Sequence, residues 1–389
     1  MIATRPTCFD VAVVGAGPAG CSAALALAQA GHAVVLLEKA MLPRYKTCGG
    51  GVLARAFQML PPNLESVIEG SFRSVALNFP GENLSFVATR PQPMVYMTMR
   101  ADLDGLLVRA AQQAGVQVVE SCPVKRVRVE ADGVEIISER GSYRAKFVLA
   151  ADGVHSVTAK AGGWPDLPAL APALEYELYP AAGEDFTRFN QMPRFDFNVI
   201  DAGYGWVFPK RGHLSVGILS THRVCPELRT KLAEYLRQIG LERVGKTERH
   251  GYLIPLAPRR GPLARGRVLL AGDAAGLVDP VTAEGISHAV RSGQLAAAAL
   301  TEGHLKVDQV GPRYQALLEE HILGELRAAR FLARLLYRHP LLRHSAFRLR
   351  GQSLCDFVTQ VIMGETSYRE ALKQPANYIK LLGWRDFSW

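Results

Sequence analysis

An apolar run, Val11 to Val14, leads straight into Gly15-Ala16-Gly17-Pro18-Ala19-Gly20 and then into an alanine-rich stretch ending at Ala30. Few backbones accommodate that order. A buried strand must turn sharply into a helix, which needs Gly15 at the turn, Gly17 where the chain approaches a pyrophosphate, and Gly20 where helix and strand pack closely. The N-terminus of that helix, at Ala19, then faces the phosphates with its free N–H groups and positive dipole end. A second apolar run, Ala33 to Leu37, ends in Glu38 and Lys39. Glu38 follows Gly15 at close to the spacing of about 20 residues expected for a ribose-binding carboxylate. Strand, helix, strand and terminal acid together predict a dinucleotide-binding fold.

A second segment, Leu269-Leu270-Ala271-Gly272-Asp273-Ala274-Ala275-Gly276, distinguishes FAD from NAD. Asp273 at the end of a strand can accept a hydrogen bond from a ribityl hydroxyl, and Gly272 admits the cofactor's backbone. A helix predicted over 284–300 follows, so N–H groups of Val281 to Gly285 and Ile286 would point back at the flavin and stabilise negative charge on it.

With 389 residues the chain is long enough for two or three domains. The predicted fold class is α/β: a Rossmann-like FAD-binding domain, an inserted, mainly antiparallel β-sheet substrate domain, and a C-terminal helical region. The expected FAD-binding domain is discontinuous, residues 1–55 with 96–160 and 262–304. Residues 56–95 with 161–261 form the substrate domain, and 305–389 the helical region. Within this scheme, 73–79 and 84–88 read as a β-hairpin around Pro80-Gly81-Glu82-Asn83. Strands are expected at 195–200, 205–208 and 214–219, and helices at 101–114 and 226–239. The chain is expected to end in an aromatic tail, 384–389.

Residues 1–8 lack a charged-then-apolar signal pattern, and no apolar run approaches a membrane span, so a cytoplasmic location is expected, free or peripheral at a membrane. The six cysteines show no CxxC pair and no zinc spacing, which predicts reduced thiols and no metal site. The net charge of +9 is uneven. Residues 321–350 hold seven arginines against one acid, Glu325, with Phe331, Leu332, Leu335, Leu336 and Tyr337 interleaved at helical spacing. Such a helix suits an anionic lipid surface or an acidic partner protein. Alternatively, its leucines pack on the domain core while the arginines face water. Its aromatics follow helix periodicity rather than forming a stacking platform, which argues against nucleic acid.

Further segments complete a set: Arg100 ahead of a helix containing Asp104, Asp152-Gly153 after a strand, Pro43-Arg44-Tyr45-Lys46-Thr47-Cys48-Gly49-Gly50, and Tyr204-Gly205-Trp206-Val207-Phe208-Pro209-Lys210. In this order the chain resembles the FAD-dependent oxidoreductases of the aromatic-hydroxylase superfamily, and most closely the geranylgeranyl reductase family, up to about residue 300. The resemblance implies that Cys48 and Gly49 belong to an active-site loop against the flavin. It also implies that Tyr204, Trp206 and Phe208 wall the substrate cavity and that Arg100 reaches the flavin side. Two positions depart from the family pattern: Ala283 stands where a glycine is usual, and Ala159-Lys160 where an arginine often follows Ser156.

The resemblance implies a reductase of C=C bonds in a prenyl or polyene chain, with hydride from reduced FAD and a proton from an acid or water. The electron donor is NADPH or an acidic ferredoxin, since no second GxGxxG is present. An oxygen-using hydroxylase of the same fold is the alternative. A halogenase is a weaker one, because the segment YGWVFP stands where halogenases carry WxWxIP. A membrane-surface electron carrier without a substrate cavity is the third reading.

Overall fold

The computed structural model describes residues 8–373. The expected α/β architecture is present. The strands Cys8–Val14, Val34–Leu37, Gln117–Val119, Gly141–Ala150 and Val268–Leu270 form the parallel core of an eight-stranded sheet. Val124–Val129 and Val134–Ser138 extend it as an antiparallel meander, and Ala264–Arg265 closes its other edge. The central strands are covered on both faces, which is why they read as unbroken apolar runs rather than alternating ones. Helices Pro18–Gln29, Arg100–Gln113 and Ile286–Glu302 pack against this sheet.

The second sheet has seven strands in the order Lys246–Pro255, Leu170–Tyr179, His213–Ser220, Gly203–Lys210, Arg194–Asp196, Ser74–Phe79 and Leu84–Thr89. Its pairs are antiparallel except Arg194–Asp196 with Ser74–Phe79. The hairpin expected at 73–88 is present. The strand expected over 195–200 stops at Asp196, because Asn198 adopts a positive φ of 64° and turns the chain. A small three-stranded sheet, Gly51–Leu53, Val95–Thr98 and Ile68–Phe72, lies between the two in sequence.

The C-terminal region divides its packing. Helix Val307–Leu318 joins the nucleotide-binding core, where Tyr314 donates to the Leu270 carbonyl at 2.7 Å. Helices Gly324–Arg338 and Pro340–Met363 instead pack on the seven-stranded sheet, sharing one apolar cluster with Leu77, Phe79, Phe197, Tyr204 and Trp206. The second of these bends at Arg350, whose φ of −141° is non-helical. The Phe86 ring packs against the adjoining Gly351, filling the space a side chain would take. The expected tail at 384–389 lies outside the described residues.

Candidate functional site

A cavity of about 880 Å³ runs from the glycine turn to these C-terminal helices. It is lined by Gly15, Gly17, Ala19, Glu38, Lys39, Cys48, Gly49, Arg100, Asp152, Tyr204, Trp206, Phe208, Gly272, Asp273, Gly285 and Ile286. Of the residues assigned from the sequence to the cofactor or to catalysis, Gly20 alone does not line it. A Cβ at Gly20 would lie 1.9 Å from the Gly15 carbonyl oxygen, so its role is close packing of helix on turn. Gly15 has φ +104° and no room for a side chain against Ala151. Gly17 differs: a Cβ there would meet only Arg100 Nη2, at 3.7 Å, so its missing side chain leaves open cavity rather than satisfying the fold.

The glycine turn is held by Glu38, which is buried. One carboxylate oxygen accepts the Ala16 N–H at 2.8 Å, and the other accepts the Ala40 N–H at 3.1 Å and Arg44 Nε at 3.2 Å. Arg44 continues the network, donating to Asp104 Oδ2 at 2.9 Å. Asp104 also receives a two-pronged ion pair from Arg100, at 2.9 and 2.8 Å. Burial alone would lower the Arg100 pKa, but Asp104 and the neighbouring Cys48 outweigh it and raise it. Asp104 is fully buried and was not singled out as a site residue, although its four-residue spacing from Arg100 was visible.

Cys48 is half-buried, and its Sγ accepts the Gly50 N–H at 3.4 Å. Gly49 packs against the Phe208 ring with no space for a Cβ, so the loop lies directly on the aromatic wall. Lys46 places its ammonium 3.9 Å above the Tyr252 ring, and burial together with Arg100 lowers its pKa. Tyr252 donates in turn to Asp273 at 3.3 Å.

Tyr204, Trp206 and Phe208 share one strand face, their rings edge-on or tilted at 6.3–6.4 Å, with Phe195 edge-on to Phe208 at 5.3 Å. The Tyr204 hydroxyl is engaged, donating to the Thr282 carbonyl at 2.5 Å, so Tyr204 offers the cavity its ring. Asp152 is engaged too, accepting from Ser156 Oγ and from the Thr158 N–H at 3.1 Å to start the helix Val157–Ala161.

The turn before helix Ile286–Glu302 is more self-contained than its sequence suggests. Asp279 accepts the Val281 N–H at 2.8 Å and the Tyr368 hydroxyl at 3.1 Å, and the Ser287 N–H is taken by Glu284. The amides of Gly285 and Ile286 open the helix at the cavity wall. Burial would raise the Glu284 carboxyl, but Arg55 at 3.0 Å and His288 hold it below the usual carboxylate range. Ala283, at the position where glycine is usual, has φ 55°, a left-handed conformation costing a non-glycine residue roughly 1–2 kcal/mol. Arg55 carried no local signal, because Glu284 lies far away in the chain, and the same holds for the Tyr368 contact of Asp279.

The apolar end is walled by Leu332, Leu335, Leu336, Phe347, Val358 and Ile362. Arg343, counted above with the surface arginines, is buried: its Nη2 donates to Asn198 Oδ1 and its Nη1 to the Leu336 carbonyl at 3.2 Å. No cluster able to hold a metal ion occurs among the described residues.

A glycine turn on a parallel sheet, a buried carboxylate at the end of the second strand and a Gly-Asp segment opening into one cavity define an FAD-dependent oxidoreductase, and residues 8–179 match the FAD binding domain family. The digeranylgeranylglycerophospholipid reductase 1 of Methanopyrus kandleri is 32% identical over 351 residues, covering 84% of this chain and 90% of that protein. The structure of a geranylgeranyl bacteriochlorophyll reductase-like protein from Thermoplasma acidophilum superposes with a TM-score of 0.76 at 23% identity, covering 97% of this chain and 96% of that one. A flavin-dependent brominase shares the fold at a TM-score of 0.75 and 19% identity, covering 98% and 100% of the two chains. The chain belongs to the geranylgeranyl reductase family of FAD-dependent oxidoreductases.

Proposed function

We propose that this enzyme reduces C=C bonds in a long prenyl or polyene chain, with FAD held along Gly15–Gly20, Glu38, Arg100, Asp152 and Asp273. Bound FAD would supply the hydride. The protein's residues would bind the chain, orient it and exclude water. One observation carries the reading: the cavity that starts at the glycine turn continues past Trp206 and Phe208 into a slot walled by aliphatic and aromatic side chains. Such a slot accepts hydrocarbon and offers little to a charged substrate. Chain length tests it. Ala346→Trp adds an indole to the helical wall, and should leave FAD binding and turnover of a short geranyl substrate intact. Turnover of a geranylgeranyl substrate should fall about 100-fold as the chain is displaced from its reacting position. Equal losses on both substrates would contradict the slot.

The slot opens beside exposed apolar side chains. Phe331 and Leu342 line it while 50% and 53% exposed, and Leu341 and Leu349 are 83% and 78% exposed. Exposed Arg334, Arg338 and Arg348 stand among them. This arrangement supports delivery of substrate from an anionic membrane surface, and the same charge would steer an acidic ferredoxin if that, rather than NADPH, is the donor. Flotation with anionic but not neutral vesicles is the expected result. Equal flotation with both would remove the arginines from the account. No helix among the described residues is long and apolar enough to cross a membrane.

A further inference from the structure

Glu175, in the middle of the strand Leu170–Tyr179, is among the residues lining the cavity, yet it is only 1% exposed. Ser215 Oγ donates to its Oε1 at 2.6 Å and the Cys48 backbone N–H faces the carboxyl, while Oε2 has no partner at ordinary hydrogen-bond geometry. A buried oxygen without a donor is costly for a carboxylate, but a neutral carboxyl can itself donate from that atom. Trp206 adjoins the group: its Nε1 donates to Ser215 Oγ at 3.4 Å, and its ring fills the space over Gly217, which pairs with Glu175 across the sheet. The carboxyl therefore stands at the aromatic wall and beside the Cys48 loop.

Titratable and charged groups face Glu175 from several elements, Tyr45 of the Cys48 loop among them. Glu177 lies two residues along the same strand face, His250 pairs with Glu175 from the strand on one side, and Lys210 and the Cys48 backbone face it from the others. Burial and the Glu177 charge push the Glu175 carboxyl up to about 7, against the opposing pull of Ser215, Lys210 and Cys48. Glu177 leads outward. Its Oε2 lies 3.1 Å from His213 Nε2, and its Oε1 accepts from the Tyr45 hydroxyl at 3.5 Å. Tyr45 reaches the surface and stacks on His250 at 4.0 Å.

Resting on the reductase reading above, we propose that Glu175 is the proton source of the cavity, giving its Oε2 proton to the substrate carbon that does not receive the hydride. The hydride brings both electrons from reduced FAD. The Glu175 O–H bond breaks as the new C–H bond forms, and the carboxylate left behind is reprotonated from solvent through Glu177, His213 and Tyr45. One hydride and one proton are thereby added across the double bond. Glu177 follows Glu175 on the same strand face, and its approaches to His213 and Tyr45 carry the row of polar groups on toward the surface.

Glu175→Gln keeps the shape and an acceptor for Ser215 but cannot deliver a proton. Two readouts apply. In cofactor-free protein, the infrared band of a protonated carboxyl should titrate near pH 7 in the native chain and be missing from the variant. In anaerobic single turnovers of FAD-loaded, pre-reduced protein with geranylgeranyl diphosphate, the variant should be about 100-fold slower at neutral pH and should lose the fall in rate as pH rises past that of the acid. Glu175→Asp should recover part of the rate and restore a titrating band. A variant that keeps the band, or that turns over within about twofold of the native chain with the same pH profile, overturns the proposal. If the native chain reduces no prenyl substrate, the reductase reading falls and this step with it. The infrared titration would then still show whether Glu175 is held neutral.

Discussion

Asp104→Asn is expected to lower folding stability by about 3–5 kcal/mol and to release the flavin. Asp104 is fully buried and neutralises two guanidiniums, Arg100 through a two-pronged pair and Arg44 through Oδ2. The amide removes the charge and one acceptor, leaving a net positive charge within a network that otherwise closes on Glu38. Arg44 would then pull on Glu38, which holds the Ala16 N–H of the glycine turn. Stability and cofactor affinity should therefore fall together. Urea denaturation with and without added FAD measures both. A loss under about 1 kcal/mol, the range of exposed ion pairs, would show that the network does not hold the turn.

Gly17→Ala should separate binding from folding. The protein offers a Cβ at this position only the Arg100 guanidinium at 3.7 Å, so thermal stability without FAD should be nearly unchanged. If the pyrophosphate passes over Gly17, the added methyl overpacks the bound state by about 1–3 kcal/mol, which is about 5- to 150-fold in affinity. Gly15→Ala is the contrasting case. Its Cβ would lie 2.3 Å from the Ala151 carbonyl oxygen, at a φ that L residues avoid, so both stability and FAD binding should drop. Fluorescence titration of FAD against both variants reads the difference. Full affinity in folded Gly17→Ala would move the cofactor away from the turn.

The nucleotide-binding half was legible in the sequence because its constraints are local. Gly15 needs its φ, the two-sided burial of Val11 to Val14 needs an unbroken apolar run, and Glu38 falls where the second strand ends. The substrate half is built from distant partners. Leu332, Leu335 and Leu336 have the spacing of an apolar helix face, but spacing does not say whether that face meets a core or a cavity. Here it does both: Ala329, Ala333 and Tyr337 are buried while the leucines line the slot. Arg343 looked like its neighbours until Asn198 and the Leu336 carbonyl claimed it.

Glu175 and Glu177 were the missed signal. Two acids at spacing two in an otherwise apolar strand place two carboxyls on one buried face, which is expensive unless the site uses them. Ala283 ran the other way. The sequence flagged it as a departure from the expected glycine, and the structure shows a left-handed backbone at that residue with its N–H tied to the Asp279 carbonyl.

The central claim, that the slot presents a prenyl double bond to reduced flavin, is tested most directly without oxygen. The FAD-loaded protein is reduced with dithionite, freed of excess reductant, and mixed with geranylgeranyl diphosphate, a geranylgeranylated glycerophospholipid or a prenylquinone while the flavin's visible absorbance is followed. The oxidised-flavin band should return with at least one of them, and the product should be heavier than the substrate by one molecule of hydrogen per turnover. A flavin that stays reduced with every substrate and is oxidised only when oxygen is admitted, the substrates unchanged, would contradict it and favour the oxygen-using chemistry of the same fold.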